Sequence, residues 1–165
     1  MDTRPTTDKV KESVFSVIQF DIEGRRVLDL FAGTGQLGIE ALSRGADWAV
    51  FVDSRREAVQ LIRENLALCR LEDKALVRMG DALAYLKSGE KFDLIFLDPP
   101  YAATLLDEAL KGIMAFDICR PHGIIVAESA ADKVLPPVLP PYRLHREYRY
   151  GKIKVTVYHR DGNEE

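Results

Sequence analysis

The chain has few cysteines, no long apolar run and no large excess of charge of either sign. Cys69 and Cys119 are too few for a disulfide framework and lack the spacing of metal ligands, so we expect two buried thiols in a reducing compartment. No apolar run approaches the length of a membrane span, and no apolar signal segment opens the chain. These absences predict a cytoplasmic protein that uses neither a membrane nor a metal.

The charge balance is slightly acidic. The 165 residues include 23 Lys and Arg against 26 Asp and Glu, which gives a formal net charge of -3 and a sequence pI of about 5.7. Proteins that bind nucleic acid through its phosphates usually carry a basic excess, so this balance argues against a broad nucleic-acid surface. The length and the 47% hydrophobic content suit one globular domain, residues 1–165, around a single core.

Apolar runs of strand length alternate with segments of helical periodicity. We predict strands at 26–30, 48–52, 75–78, 92–97 and 124–127, and helices at 36–44 and 55–69. Two helices show an apolar side, formed by Val14, Phe15, Val17 and Ile18 in an opening helix and by Ala58, Leu61, Ile62, Leu66 and Cys69 in the helix at 55–69. After a proline-rich connection at 136–141, residues 142–150 and 152–158 alternate around Gly151 as a hairpin would. The pattern predicts an α/β fold, with a mainly parallel seven-stranded sheet, helices on both faces and a C-terminal antiparallel hairpin.

A glycine-rich loop follows the first strand. Residues 29–38 read Asp-Leu-Phe-Ala-Gly-Thr-Gly-Gln-Leu-Gly, which contains G-x-G-x-x-G, and Asp53 ends the next strand. This pattern is compatible with a nicotinamide dinucleotide site. However, Asp29 would repel a pyrophosphate, whereas it could hold an ammonium or sulfonium group, as in S-adenosylmethionine (SAM). In that interpretation Asp53 binds both ribose hydroxyls and Asp81 accepts from the adenine amine.

The predicted cofactor-binding residues are therefore Asp29, Phe31, Ala32, Gly33, Thr34, Gly35, Gly38, Asp53, Ser54, Asp81 and Ala82. Each motif also has a purely structural interpretation. The glycines would allow close helix packing, and the acids would act as helix N-caps.

The box Asp98-Pro99-Pro100-Tyr101 follows the strand at 92–97 directly. Two prolines end the strand ladder and leave a short row of rigid acceptors beside an aromatic ring. Such a row suits a flat heterocycle with an exocyclic amine, although a sharp strand exit alone would explain it too. Because strands one and four are neighbours in sheets of this kind, we expect the box and the glycine loop to form two sides of one cleft.

Together these residues resemble a known family. The segments 29–35 and 98–101 look like those of class I SAM-dependent amino-methyltransferases. Residues 4–15, residues 37–46 and the late Tyr150-Gly151-Lys152 are similar to the RsmD-type 16S rRNA guanine-N2 methyltransferases. The resemblance implies a Rossmann-like class I methyltransferase fold, SAM as methyl donor with S-adenosyl-L-homocysteine as product, and transfer to the N2 amine of a guanine.

The same resemblance implies roles for the box and for a partner. Asp98 and the Pro99 carbonyl would accept the two N2 hydrogens, Pro100 would complete the row of acceptors, and Tyr101 would stack on an extruded base. The expected substrate is small-subunit rRNA within an assembling or assembled 30S-type particle, and the enzyme is expected to be a monomer. Arg143, Arg146 and Arg149 on the hairpin could meet phosphates or form a solvated basic face.

Two departures and several alternatives remain. The family usually has a short basic β-segment before the Arg-Pro-Thr signature at 4–6, of which only residues 1–3 stand here, and Gln36 replaces a small residue. DNA adenine-N6 methyltransferases share the box, but no region of this chain looks large enough for DNA target recognition. Free nucleotides or small amines are other possible substrates. A non-catalytic SAM-binding module is the remaining class.

Overall fold

The computed structural model describes residues 8–100 and 104–162. Its helices are α1 (Asp8–Val17), α2 (Gln36–Ser43), α3 (Arg56–Leu68), α4 (Ala82–Tyr85) and α5 (Leu105–Phe116), with a 3-10 turn at Glu72–Lys74. Its strands are β1 (Arg26–Leu30), β2 (Trp48–Asp53), β3 (Ala75–Met79), β4 (Phe92–Leu97), β5 (Cys119–Ala130), β6 (Tyr142–Tyr150) and β7 (Ile153–Arg160).

The strands form one sheet in the order β3-β2-β1-β4-β5-β7-β6. Strands β1 to β5 run parallel, whereas β7 is antiparallel to both β5 and β6. The winding reverses between β1 and β4, and a crevice opens at the carboxyl ends of strands at such a point. The predicted parallel sheet with a C-terminal hairpin is confirmed.

Helices cover both faces of the sheet, as predicted. On one face α1, α2 and α3 pack over a core that contains Phe15, Phe51 and Phe96. On the other face α4 and α5 pack over a core that contains Leu97 and Ile113. Strand residues buried on both sides explain why the sequence shows near-continuous apolar runs instead of alternation. Among the described residues, no helix has the length and apolarity needed to cross a bilayer.

The structure corrects several boundaries and burial predictions. Strand β5 begins at Cys119, five residues before the predicted start, because it continues past Pro121 through a register shift against β4. Helices α4 and α5 were not predicted.

Three residues placed on the apolar sides of helices are not buried. Val17 and Leu61 are 36% and 39% exposed. Cys69 lies beyond the end of α3 and is exposed, so the prediction of two buried thiols is wrong for Cys69 and right for Cys119. Burial raises the pKa of the Cys119 thiol to about 12.

Gly38 shows how closely α2 packs on the sheet. A Cβ at this position would lie 2.7 Å from Cζ of Phe51 and 3.2 Å from Oδ2 of Asp29. We expect Gly38→Ala to lower the free energy of unfolding by about 1–3 kcal/mol, because the ring cannot move away in a close-packed core. Gly80→Ala is the matched control, since a Cβ there meets nothing within 4 Å. Chemical denaturation of both variants tests this; equal stability would contradict the packing argument.

Candidate active site

A cavity of about 420 Å³ lies at the carboxyl edge of the sheet. This volume is in the range of sites for small ligands. The structure brings eight of the predicted site residues to its wall: Phe31, Gly33, Asp53, Ser54, Asp81, Ala82, Asp98 and Pro100. The glycine loop and the Asp-Pro-Pro segment therefore face one cavity, as expected from the neighbouring positions of β1 and β4.

The other predicted site residues lie elsewhere. Asp29, Ala32, Gly35 and Gly38 are buried, and none of them lines the cavity, whereas Thr34 is exposed. The Thr34 carbonyl accepts a hydrogen bond from Nδ2 of Asn65 at 3.0 Å. Pro99 is buried beside Asp98. Tyr101 lies outside the described residues.

The glycine loop leaves β1 in a left-handed backbone conformation. The φ angles of Phe31, Gly33 and Gly35 are 62°, 61° and 79°. Glycine adopts such angles without strain, whereas Phe31 does so at a cost of order 1–3 kcal/mol. A Cβ on Gly33 would meet nothing within 4 Å, so the backbone angle and not a lack of space explains the glycine there. The turn aims the Gly33 N–H at Asp53, whose Oδ2 accepts it at 2.9 Å.

Asp29 is a buried acid beneath the loop. It is 1% exposed, and its Oδ2 accepts a hydrogen bond from the Gly38 backbone at 3.0 Å. Burial raises the pKa of Asp29 well above its usual value, and the charges of Asp98 and Asp53 raise it further, whereas the bond from Gly38 opposes them. An ionised Asp29 is thus costly unless positive charge comes near it.

Asp53 is held by two partners at the end of β2. Its Oδ1 accepts from the backbone N–H of Arg55 at 3.0 Å and from Nε of that side chain at 3.2 Å. Its Oδ2 accepts from Gly33. A carboxylate has about four acceptor positions, so a ligand diol would compete with the Arg55 side chain for them. The Arg55 side chain is 59% exposed whereas that of Asp53 is 7% exposed, so the guanidinium is the partner that can turn into solvent when a ligand binds the carboxylate.

Asp81 performs the structural role that was considered for the acids. It is the N-cap of α4, and its Oδ2 accepts from the Ala84 backbone at 2.8 Å. It also lines the cavity, so the cap fixes one carboxylate oxygen while the side chain stays at the cavity wall.

Asp98 borders two spaces at once. It lines the cavity and also a narrow crevice between α1 and the ends of β4 and β5. It is only 8% exposed. Asp98 therefore stands between the cavity and the residues packed under α1.

Three residues outside the predicted set also line these two spaces. Arg55 and Leu105 line the cavity, and Glu128 lines the crevice. Arg55 follows Asp53 closely and could have been found as a partner for it. Glu128 was not selected because β5 was predicted to end at Ala127, and the pairing of β5 with β4 and β7 that brings it to the crevice involves distant residues.

The cavity favours ligands rich in hydrogen-bond donors or positive charge. Among the described residues that line it are three carboxylates, those of Asp53, Asp81 and Asp98, and one cation, Arg55, which is paired with Asp53. Such a surface does not suit the pyrophosphate of a dinucleotide, which normally binds backbone N–H groups at a helix N-terminus without competing acids. The strand order β3-β2-β1-β4-β5-β7-β6, with β7 antiparallel to both of its neighbours, is that of the class I methyltransferase fold. The cavity lies at the crevice of this sheet.

Comparisons with known proteins assign the chain to one family. The family model described as "Conserved hypothetical protein 95" matches residues 1–159. The Bacillus subtilis protein YlbH is 42% identical over 164 residues, which cover 97% of this chain and 89% of YlbH. Ribosomal RNA small subunit methyltransferase D of Escherichia coli is 33% identical over 163 residues, covering 98% of this chain and 82% of that protein. The solved structure of Escherichia coli yhhF has a TM-score of 0.88 at 31% identity, covering 99% of this chain and 92% of that one. The chain belongs to this RsmD-like family of SAM-dependent methyltransferases.

Proposed function

We propose that this chain transfers the methyl group of SAM to the N2 amine of a guanine in small-subunit rRNA. The observation that carries the proposal is the position of Asp98, which borders both the acid-lined cavity and the crevice beside it. The name of the Escherichia coli relative supports small-subunit rRNA as the substrate class.

The cavity residues fit SAM, which would supply an electrophilic methyl group on a sulfonium when bound. Asp53 would bind the ribose hydroxyls once the Arg55 side chain moves aside. The Asp81 carboxylate, fixed by its bond to Ala84, would accept from the adenine amine. Asp29 would stabilise the positive charge of the ligand from below, because a charge acts strongly across a low-dielectric interior.

Asp98 and the Pro99 carbonyl would act on the nucleophile. The N2 lone pair of guanine is delocalised into the ring, and acceptors on both N–H bonds favour its localisation towards the methyl group. Transfer would exchange the bond between the methyl carbon and sulfur for a bond between that carbon and N2, and N2 would then lose one proton to solvent. The Asp98 carboxylate would stabilise the positive charge that develops on N2 before this proton leaves.

We further propose that the substrate is an assembling or assembled particle. With a net charge of -3 the chain has few cations to spare for phosphates, so it should bind naked RNA weakly at physiological salt. Shape and protein contacts in a particle can offset that weakness.

The test is methyl transfer from labelled SAM to small subunits that lack the modification, to the same rRNA without proteins, and to duplex DNA. We expect the highest rate with small subunits, and N2-methylguanosine after digestion of the product. Sequencing of the labelled fragment identifies the nucleotide. N6-methyladenine in the DNA would overturn the proposal in favour of an adenine enzyme, and SAM binding without transfer to any substrate would favour a non-catalytic module.

Two variants separate the roles of Asp53 and Arg55. Asp53→Ala should weaken SAM binding about tenfold, the scale of one to two hydrogen bonds to a charged group. Arg55→Ala should change the affinity by less than about threefold, because the ligand would displace the largely exposed guanidinium and two backbone N–H groups would still hold Asp53. Calorimetric titration with SAM and with S-adenosyl-L-homocysteine measures both. A large loss in Arg55→Ala would mean that the guanidinium contacts the ligand and is not displaced by it.

A further inference from the structure

We propose that Glu128 determines the base specificity of this enzyme by accepting the N1 hydrogen of the target guanine. The inference rests on the proposed function, since it assigns a second contact to the same base. Adenine has a lone pair and no hydrogen at N1, so a carboxylate at this point would favour guanine and reject adenine.

The strand register places Glu128 beside Asp98. In the parallel pair of β4 and β5, Phe96 lies opposite Val126 and Leu97 lies opposite Ala127. Asp98 directly follows Leu97, and Glu128 directly follows Ala127, so they come next along the two strands. Neighbouring strands lie about 4.8 Å apart, which brings the two carboxylates within reach of one flat base edge.

The two acids also lie on the same face of the sheet and are equally buried. Side chains alternate along a strand, so Glu128 is on the side of Val126, which belongs to the core under α1. Both Asp98 and Glu128 line the crevice against α1, and each is 8% exposed. The crevice encloses only about 10 Å³, so a base cannot enter between α1 and the sheet. The base would meet both carboxylates at the rim.

The surroundings of Glu128 are mainly apolar. Its neighbour across the sheet is Val155 of β7, and the crevice around it is lined by Val10, Val14 and Val126 together with Lys11. Asp98 lines the same crevice, so the two carboxylates lie together beside α1.

The donors on the guanine edge can be assigned to separate acceptors of the protein. Guanine carries N1–H and the N2 amine side by side on one edge, and both are donors. If Asp98 and the Pro99 carbonyl take the two N2 hydrogens, the next acceptor along the sheet edge is Glu128. Glu128 on β5, the first strand after the Asp-Pro-Pro segment, would thus contact the base at N1.

The experiment compares guanine with 2-aminopurine, which has the same C2 amine but no N1 hydrogen. Small subunits are reconstituted with one or the other base at the nucleotide identified by labelling. Wild-type enzyme should methylate guanine at least about tenfold faster in kcat/KM, the scale of one hydrogen bond to a charged group. In Glu128→Gln the ratio of kcat/KM for guanine to that for 2-aminopurine should fall towards the ratio set by the intrinsic reactivity of the two bases. The reason is that the amide can accept from guanine N1–H or donate to the bare N1.

Ser129→Ala is the matched control, since Ser129 lies on the same strand and bonds the Ala130 carbonyl. It should keep the wild-type ratio, and SAM affinity should be unchanged in both variants. An unchanged ratio in Glu128→Gln, or a wild-type enzyme that methylates both bases equally, would overturn the role of Glu128 while N2-methylguanosine formation still stood. Absence of N2-methylguanosine with wild-type enzyme would instead overturn the proposed function and this inference with it.

Discussion

Asp98→Ala is expected to lower the turnover number by roughly a hundredfold or more while SAM affinity changes little. The reason is that the acceptors on N2 strengthen as positive charge develops there, so they stabilise the transition state more than the bound substrate. Asp98 lines both the cavity and the crevice, and it is not among the residues expected to hold the cofactor. Single-turnover transfer to small subunits, together with calorimetric SAM titration, measures the two effects separately.

Two further variants make this result specific. Asp98→Asn keeps an acceptor oxygen but removes the charge, so its turnover should lie between those of wild type and Asp98→Ala. Asp73→Ala removes an exposed acid from the 3-10 turn before β3 and should leave turnover unchanged. If Asp98→Ala retained wild-type turnover, the residue would have no place in the mechanism; an equal loss of SAM affinity would make it a cofactor ligand.

The fold followed from the sequence because its signals are local. Strands β1 and β4 appear as short, mainly apolar runs, one before the glycine-rich loop and the other before the Asp-Pro-Pro segment, and their predicted limits match the structure. The predicted limits of strand β5 do not match the structure, because Pro121 and Gly123 look like a turn. Only pairing with β4 and β7 makes this segment extended. Helix α5 has a clear apolar face, formed by Leu106, Ala109, Leu110 and Ile113, and could have been predicted.

The candidate site was predictable where residues sit at strand ends. The acids Asp53, Asp81 and Asp98 lie at or just after the ends of strands, and a parallel sheet brings such positions to one edge. Sequence could not separate their tasks, since Asp81 also caps a helix and Asp53 already binds Arg55. Gly38 matched the motif but packs against Phe51. Glu128 enters through tertiary pairing, which no local pattern reveals.

Asp29→Asn is expected to make the protein more stable and its SAM binding weaker. A carboxyl group whose pKa is raised in the folded protein binds more protons there than in the unfolded chain, so the stability of the wild type falls as pH rises through that interval. The interval begins near the unfolded value of about 4 and extends upward to the folded pKa. The amide of the variant does not titrate and can still accept from Gly38, so the gain in melting temperature should be near zero at about pH 4 and grow as the pH rises towards the folded pKa.

The ligand tests whether this cost has a function. The ammonium and sulfonium of SAM would stabilise an ionised Asp29, so SAM should raise the melting temperature of the wild type more than that of Asp29→Asn, and the difference should increase with pH. We expect roughly tenfold weaker SAM binding in the variant at about pH 8, which is the scale of one lost charge interaction in a partly buried site. Asp73→Asn, at an exposed position, should show neither effect. A variant less stable than wild type at that pH would mean that the Asp29 carboxylate mainly holds α2 in place through Gly38. Equal stabilisation of both proteins by SAM would show that the charge of Asp29 does not act on the ligand.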